Sequence, residues 1–368
     1  MPTVIVESHI PFVGDSFAGI ADVRVLPPEK INAAAVRDAD ILIVRTRTRC
    51  DAALLSGSKV RMVATATIGT DHIDKEYCRH NGIEVVSAPG CNAPAVAQYV
   101  WASVLTLLPV ERLPRLTVGV VGLGHVGSIV ADWAHRLGAR VLACDPPRRR
   151  TDGGWDAAAP FSPGGEPFVS LDEIARKADV ITFHTPHTRT GVDATHHLGG
   201  EAFFAALERK PVVINAARGP VFDTAALVKA SREGRVSGCV IDCWEGEPAL
   251  DPELLMLADI ATPHIAGYSV EGKRRATAAV VAAARRFLGA SAESGTLIPH
   301  DPCAEVTPAS VLASYNPLAD TAMLKNGFSP ELFERLRNGY PLRHELGFSD
   351  TTVCGAQPRG AGVTSRPD

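Results

Sequence analysis

Residues 116–145 read LTVGVVGLGHVGSIVADWAHRLGARVLACD. The first six are apolar and rich in β-branched side chains, a run short enough for a buried strand. Gly122, Gly124 and Gly127 follow as a G-x-G-x-x-G that encloses His125 and Val126. Val126, Ile129, Val130, Trp133, Ala134 and Leu137 then recur at helical spacing, and Gly138 closes that helix. Residues 140–144 form a second apolar run that ends at Asp145. Strand, glycine turn, helix and parallel strand in this order predict a doubly wound α/β unit.

This context gives the glycines a purpose. Gly122 permits the tight turn, Gly124 lets a pyrophosphate approach the backbone, and Gly127 lets helix and strand pack closely. The helix N-terminus turns free N–H groups and a favourable dipole toward the phosphates. Asp145 lies 18 positions past Gly127, near the ~20 expected for an acid that bonds an adenosine ribose. Its charge would repel a 2′-phosphate, so NAD is the expected cofactor. Arg148, Arg149 and Arg150 could accept NADP, but Pro146 and Pro147 are expected to turn them outward. A βαβ turn without cofactor is the plainer alternative.

The remaining chain repeats this alternation. Apolar runs at 4–6, 23–26, 41–44, 60–64 and 83–87 predict five strands before the glycine motif. Runs at 180–183, 212–215, 236–241 and 259–262 predict four more after it. A helix is expected over 72–80, a buried connecting helix over 93–108, and an alanine-rich helix over 272–288 that returns toward the first domain. Ser170 and Glu173 have capping-box spacing. Residues 146–167 and 291–331 read as loop and turn-rich segments, 332–344 as one helix, and 354–368 as a disordered tail. At 368 residues, two or three domains are expected.

Composition narrows the class. A net charge of −4 gives no reason to expect nucleic acid. No run approaches the ~20 apolar residues of a membrane span. The N-terminus reads as a strand rather than a signal peptide. None of the eight cysteines forms a C-x-x-C pair, so no metal is expected. Several lie in predicted strands, as reduced thiols of a cytoplasmic protein would.

Ligand chemistry gathers at the carboxyl ends of strands in open α/β sheets. Thr185, Arg218, Asp242, Glu247 and His264 fall at or just past such ends. Hydride removal from a hydroxyl-bearing carbon needs a base for the hydroxyl proton, an acid to orient it and a cation for a carboxylate. His264, Glu247 and Arg218 suit those three roles. Arg45, Thr46, Arg47, Thr48 and Arg49 follow a strand and suggest either an anion-binding loop or a solvated basic one. Singly, His264 and Arg218 would read as structural residues. Together, downstream of a dinucleotide motif, they read as catalytic.

The motifs at 122–127, 214–219 (INAARG), 241–248 (IDCWEGEP) and 262–267 (TPHIAG) resemble the serial motifs of the NAD-dependent D-2-hydroxyacid dehydrogenases. The resemblance covers roughly residues 1–290. It implies a flavodoxin-like substrate domain (1–92 and 269–290), a Rossmann NAD domain (93–268) and a small diverged C-terminal dimerisation-like segment (291–368). It also implies that Arg218, Glu247 and His264 are catalytic. NAD contacts are implied at Gly122, Gly124, His125, Val126, Gly127, Asp145, Thr185, Ala216, Ala217, Arg218, Asp242 and Gly267. Residues 44–46, 65–72, 88–93, 144–148, 183–186 and 264–268 further resemble members acting on a small phosphorylated 2-hydroxy acid, 4-phospho-D-erythronate. Those imply substrate contacts at Thr46, Thr67 and Tyr268, and a homodimer; the arginine-rich loop at Arg45 is expected to help bind the phosphate. A family member acting on 3-phosphoglycerate or glyoxylate-type acids, or an NAD-sensing co-repressor-like protein, remains the alternative.

Overall fold

Every apolar run predicted as a strand pairs in one of two all-parallel sheets. A computed structural model describes residues 1–151, 168–291 and 305–348. The first sheet holds β1 (Thr3–Glu7), β2 (Asp22–Leu26), β3 (Ile41–Val44), β4 (Met62–Thr65) and β5 (Glu84–Val86) in the order β2-β1-β3-β4-β5. That is the flavodoxin-like order. The second holds β6 (Thr117–Val121), β7 (Arg140–Cys144), β8 (Val180–Phe183), β9 (Val212–Asn215), β10 (Gly238–Ile241) and β11 (Ile260–Ala261), ordered β11-β10-β9-β8-β6-β7. Beyond β7, Val169 N–H donates to the Ala143 carbonyl at 2.8 Å. This extends the edge as the third strand of a Rossmann sheet does. The strand order reverses between β6 and β8, so a crevice opens where Gly122 and His184 leave the sheet.

Two helices join the sheets. Ala93–Leu107 carries no charged side chain and is buried over most of its length. Trp101 Nε1 donates to the Val130 carbonyl at 2.9 Å and ties it to His125–Arg136, the helix that follows the glycine turn. Val270–Phe287 returns to the first sheet, where Ala276, Val280 and Ala284 pack with Val4, Ile41 and Ile43. The Ser269 side chain caps it by accepting from Gly272 N–H.

The segment after 305 departs from its turn-rich reading. It forms helices Pro308–Ser314, Pro317–Lys325 and Pro330–Asn338. Each proline stands in the first turn behind a capping Thr307, Asn316 or Ser329. There proline starts a helix, since its missing N–H would be unpaired anyway. The helix predicted over 332–344 ends at Asn338, with Gly339 as its cap. Phe333 and Leu324 are fully buried against the second sheet's core. Arg343 donates to the carbonyls of Ala95, Ile265, Ala266 and Tyr268. Arg275 and Glu345 form a buried ion pair between Val270–Phe287 and the segment that follows Pro330–Asn338. The predicted loop over 146–167 begins instead with a short helix, Pro146–Thr151. Residues 152–167, the tail 354–368, Cys303 and Cys354 lie outside the described residues.

Candidate active site

The glycine turn is built as its spacing requires. Gly122 has φ +89, a left-handed conformation that side chains resist. A Cβ on Gly127 would run into the Gly122 carbonyl oxygen, so helix and strand meet only because it is absent. A Cβ on Gly124 would meet nothing within 4 Å, which leaves open space above the turn. Gly124 is also the N-cap of His125–Arg136 and offers no side-chain cap, so the first helical amides face that space unpaired. Thr185 Oγ1 is buried without a hydrogen-bond partner at the end of β8. Open space, free amides and an orphaned hydroxyl at the strand-order reversal fit a dinucleotide.

Asp145 accepts from Leu123 N–H at 2.8 Å and Arg148 N–H at 3.0 Å, which holds its carboxylate at the mouth of the turn. Arg149 and Arg150 are exposed, and Arg150 pairs with Asp193. Arg148 does not turn outward as predicted. The helix Pro146–Thr151 swings it back, and its guanidinium donates to the Leu123 carbonyl at 2.7 Å. His125 packs against Gly90, and Val126 lies partly buried on the core.

His264 and Glu247 come together from different loops. His264 follows β11 with φ +56, and its Nδ1 lies 2.9 Å and 3.1 Å from the two Glu247 oxygens. Glu247 also accepts from Trp244 N–H at 2.8 Å. A carboxylate that accepts from an amide fixes Nδ1 of His264 as the protonated nitrogen and leaves Nε2 free to accept. Burial opposes charge on His264, but its neighbours Cys243 and Glu247 outweigh that and raise its proton affinity well above the ordinary histidine range. Glu247 is held down despite burial, through His264 and Arg337.

Asp242 holds the loop that carries His264. Its buried carboxylate accepts from Thr262 Oγ1 at 2.7 Å, Ile265 N–H at 2.7 Å and Ala266 N–H at 3.0 Å. Tyr99 reaches the same Thr262 hydroxyl at 2.8 Å. Gly267 packs on the Asn92 side chain, whose amide a Cβ there would displace. Ala216 and Ala217 follow β9, and Ala217 N–H donates to Asn215 Oδ1.

Arg218 spans the two sheets. Its Nε donates to Asp71 at 3.3 Å and its Nη1 to the Ala217 carbonyl at 2.8 Å. The guanidinium lies over Gly69, where a Cβ would collide with it. Thr67 Oγ1 donates to the Gly69 carbonyl at 2.9 Å and so shapes the loop beneath Arg218.

A cleft of about 480 Å³ lies next to the His264–Glu247 pair across Arg337; Arg218, Glu247 and His264 are themselves absent from its walls. Arg45, Thr46 and Tyr268, predicted as substrate contacts, line it. Thr67 is absent from its walls. Lys273, Arg337 and Tyr340, which sequence reasoning missed, line it as well. Arg337 reaches Glu247 at 3.6 Å. Lys273 Nζ sits 4.2 Å from the Tyr268 ring centroid. No local motif marks Lys273, in the first turn of Val270–Phe287, or Arg337, in the last turn of Pro330–Asn338. The sequence signals there are the helix expected over 332–344 and the diverged C-terminal segment that the resemblance implies over 291–368.

The family model for the D-isomer specific 2-hydroxyacid dehydrogenase NAD binding domain matches residues 95–266. The structure is similar to D-lactate dehydrogenase from Aquifex aeolicus complexed with NAD and lactic acid, at TM-score 0.66 and 26% identity. That similarity covers 81% of this chain and 99% of the other. NAD-dependent formate dehydrogenase from Staphylococcus aureus shares the fold at TM-score 0.62 and 20% identity, over 78% of this chain and 95% of the other. The two sheets, the glycine turn and these matches define an NAD-dependent oxidoreductase of 2-hydroxy acids.

Two curated relatives narrow the class. A protein of Bacteroides thetaiotaomicron named erythronate-4-phosphate dehydrogenase is 45% identical, over 93% of this chain and 97% of its own. One of Pseudomonas putida with the same name is 39% identical, over 98% of each. The chain belongs to the erythronate-4-phosphate dehydrogenases, within the D-isomer-specific 2-hydroxyacid dehydrogenase family. Among the described residues no helix is long and apolar enough to cross a membrane.

Proposed function

We propose that the enzyme oxidises 4-phospho-D-erythronate at C2 to (R)-3-hydroxy-2-oxo-4-phosphooxybutanoate, a step of pyridoxal 5′-phosphate biosynthesis. The observation that carries this is the His264–Glu247 pair at 2.9 Å beside a cation-lined cleft. Bound NAD supplies the acceptor for the hydride that leaves C2. His264 Nε2 takes the C2 hydroxyl proton, while Nδ1 keeps its bond to Glu247. Glu247 stabilises the imidazolium that results. The Arg218 fork holds the substrate carboxylate and the developing C2 carbonyl oxygen. Thr46, Thr67, Arg45 and Tyr268 position the remaining substrate.

Gly122, Gly124, His125, Val126 and Gly127 would cradle the pyrophosphate, and Asp145 would take the ribose. Thr185, Ala216, Ala217, Arg218, Asp242 and Gly267 would flank the rest. Residues 1–92 and 269–290 act as the substrate domain, 93–268 as the NAD domain, and 291–368 as the segment that pairs two copies. Leu312, Leu318 and Met323 are exposed on that segment and support the pairing. Cys50, Cys78, Cys91, Cys144, Cys239 and Cys243 are buried free thiols, which supports the cytoplasm.

The test is turnover of the purified protein with 4-phosphoerythronate against 3-phosphoglycerate, with NAD and a 2-oxo acid to reoxidise the cofactor. Strong preference for the four-carbon phosphate, lost in His264→Ala, is expected. Equal or greater turnover of 3-phosphoglycerate would reject the substrate assignment.

A further inference from the structure

The cleft beside His264 gathers cations from three separate elements. Arg45 leaves β3, Lys273 lies in Val270–Phe287, and Arg337 lies in Pro330–Asn338. All three crowd Tyr268: Arg45 lies 6.0 Å and Lys273 4.2 Å from its ring centroid, and Arg337 interacts with its hydroxyl. The carboxylates in the cleft are Glu7 and Glu334. Glu334 pairs with Arg47 at 2.7 Å, on the rim. Glu7 Oε2 is occupied by Arg45 N–H and Thr48 Oγ1, while Glu7 Oε1 is buried with no hydrogen-bond partner, 3.9 Å from His9. Arg45 Nε is buried with no hydrogen-bond partner. Three basic side chains are thus brought close; Arg337, at 3.6 Å, shares Glu247 with His264, while no carboxylate pairs with the side chain of Arg45 or Lys273 among the described residues. Such convergence costs free energy unless an anion shares the site.

We propose that Lys273 and Arg337, with Arg45, form the seat of the substrate's phosphate, so that the C-terminal helix Pro330–Asn338 selects phosphorylated over plain 2-hydroxy acids. This rests on the activity proposed above. Lys273 is pushed down to about 7 by burial and by its neighbours Arg45 and Arg337. A bound dianion would reverse that and draw a proton onto Lys273. Arg337 also lies 3.6 Å from Glu247, which links the anion seat to the catalytic pair.

The experiment uses the full-length, NAD-loaded protein. Inorganic phosphate binding is measured by calorimetry for wild type, Arg337→Met, Arg337→Lys and Lys273→Met. Turnover of 4-phosphoerythronate and of unphosphorylated D-erythronate is measured for each. We expect phosphate affinity to fall at least about tenfold in either Met variant. The ratio of kcat/KM for the phosphorylated over the plain acid should fall about thirtyfold or more in Arg337→Met and recover partly in Arg337→Lys. The ratio matters because Arg337→Met also disturbs Glu247 and slows both substrates. Unchanged phosphate affinity in both Met variants, or parallel loss with both substrates at a constant ratio, would overturn the proposal. Phosphate binding that depends on both residues in an enzyme that ignores 4-phosphoerythronate would support the anion seat and reject the activity. The two Met variants alter different helices, so misfolding of one leaves the other to decide.

Discussion

Glu247→Gln removes one negative charge and keeps the shape of the side chain. The carboxylate lies 2.9 Å from His264 Nδ1, and the two side chains are only 18% and 29% exposed, so water screens the pair weakly. Opposite charges about 4 Å apart in an effective dielectric of about 20 attract by about 4 kcal/mol. Arg337, 3.6 Å from the same carboxylate, already draws on its charge, so the proton affinity of His264 drops by less than that attraction alone would give. The sign follows from the role. Oxidation needs the neutral imidazole, so wild-type turnover is lost as pH falls through a proton affinity raised above the ordinary range. In Glu247→Gln that affinity drops, and the acid limb of kcat/KM moves to lower pH. The alkaline plateau falls about 10- to 100-fold, because a weaker base abstracts the proton less well. In the reducing direction the imidazolium is needed, so activity is lost as pH rises, and that limb moves down by the same amount. The assay is initial NADH formation across the pH range at saturating NAD. A uniform loss of rate with an unmoved limb would refute the pairing as the source of the raised affinity.

Three further substitutions probe the rest of the site. Arg218→Lys keeps the charge but loses the planar fork, and kcat/KM for the 2-hydroxy acid should fall about 100-fold; steady-state kinetics would show it, and a change below about threefold would remove Arg218 from the carboxylate. Asp145→Ala frees Leu123 N–H and Arg148 N–H, held now at 2.8 Å and 3.0 Å, and removes the charge that opposes a 2′-phosphate. NAD affinity should drop about tenfold or more while the NADP-to-NAD ratio of kcat/KM rises, and an unchanged ratio would exclude Asp145 from cofactor choice. Gly127→Ala drives a methyl into the Gly122 carbonyl. It should cost about 1–3 kcal/mol, or several degrees of Tm, and weaken NAD binding; thermal unfolding with and without NAD checks both, and wild-type values would refute the close packing.

The sequence by itself determined what local chemistry determines. Eleven strands were legible as apolar runs because most are buried on both faces and read as continuous stretches, while the edge strands β2 and β5 are more exposed. The glycine turn was legible because φ +89 at Gly122 and the contact at Gly127 leave no other residue type comfortable there. Arg218, Glu247 and His264 stood out because each follows a predicted strand. The prolines after 305 misled because a proline between turns and a proline opening a capped helix look alike until the helix finds something to pack on. Phe333 and Leu324 find the second sheet's core. Tertiary structure alone decided which distant groups meet. It set Arg218 over Gly69, 149 positions earlier, and Arg337 beside Glu247, 90 positions earlier. It also turned Arg148 back onto Leu123 against its proline-based reading. Such meetings depend on how helices dock on sheets, and docking is a sum of many weak contacts that leaves no mark at any single position of the chain.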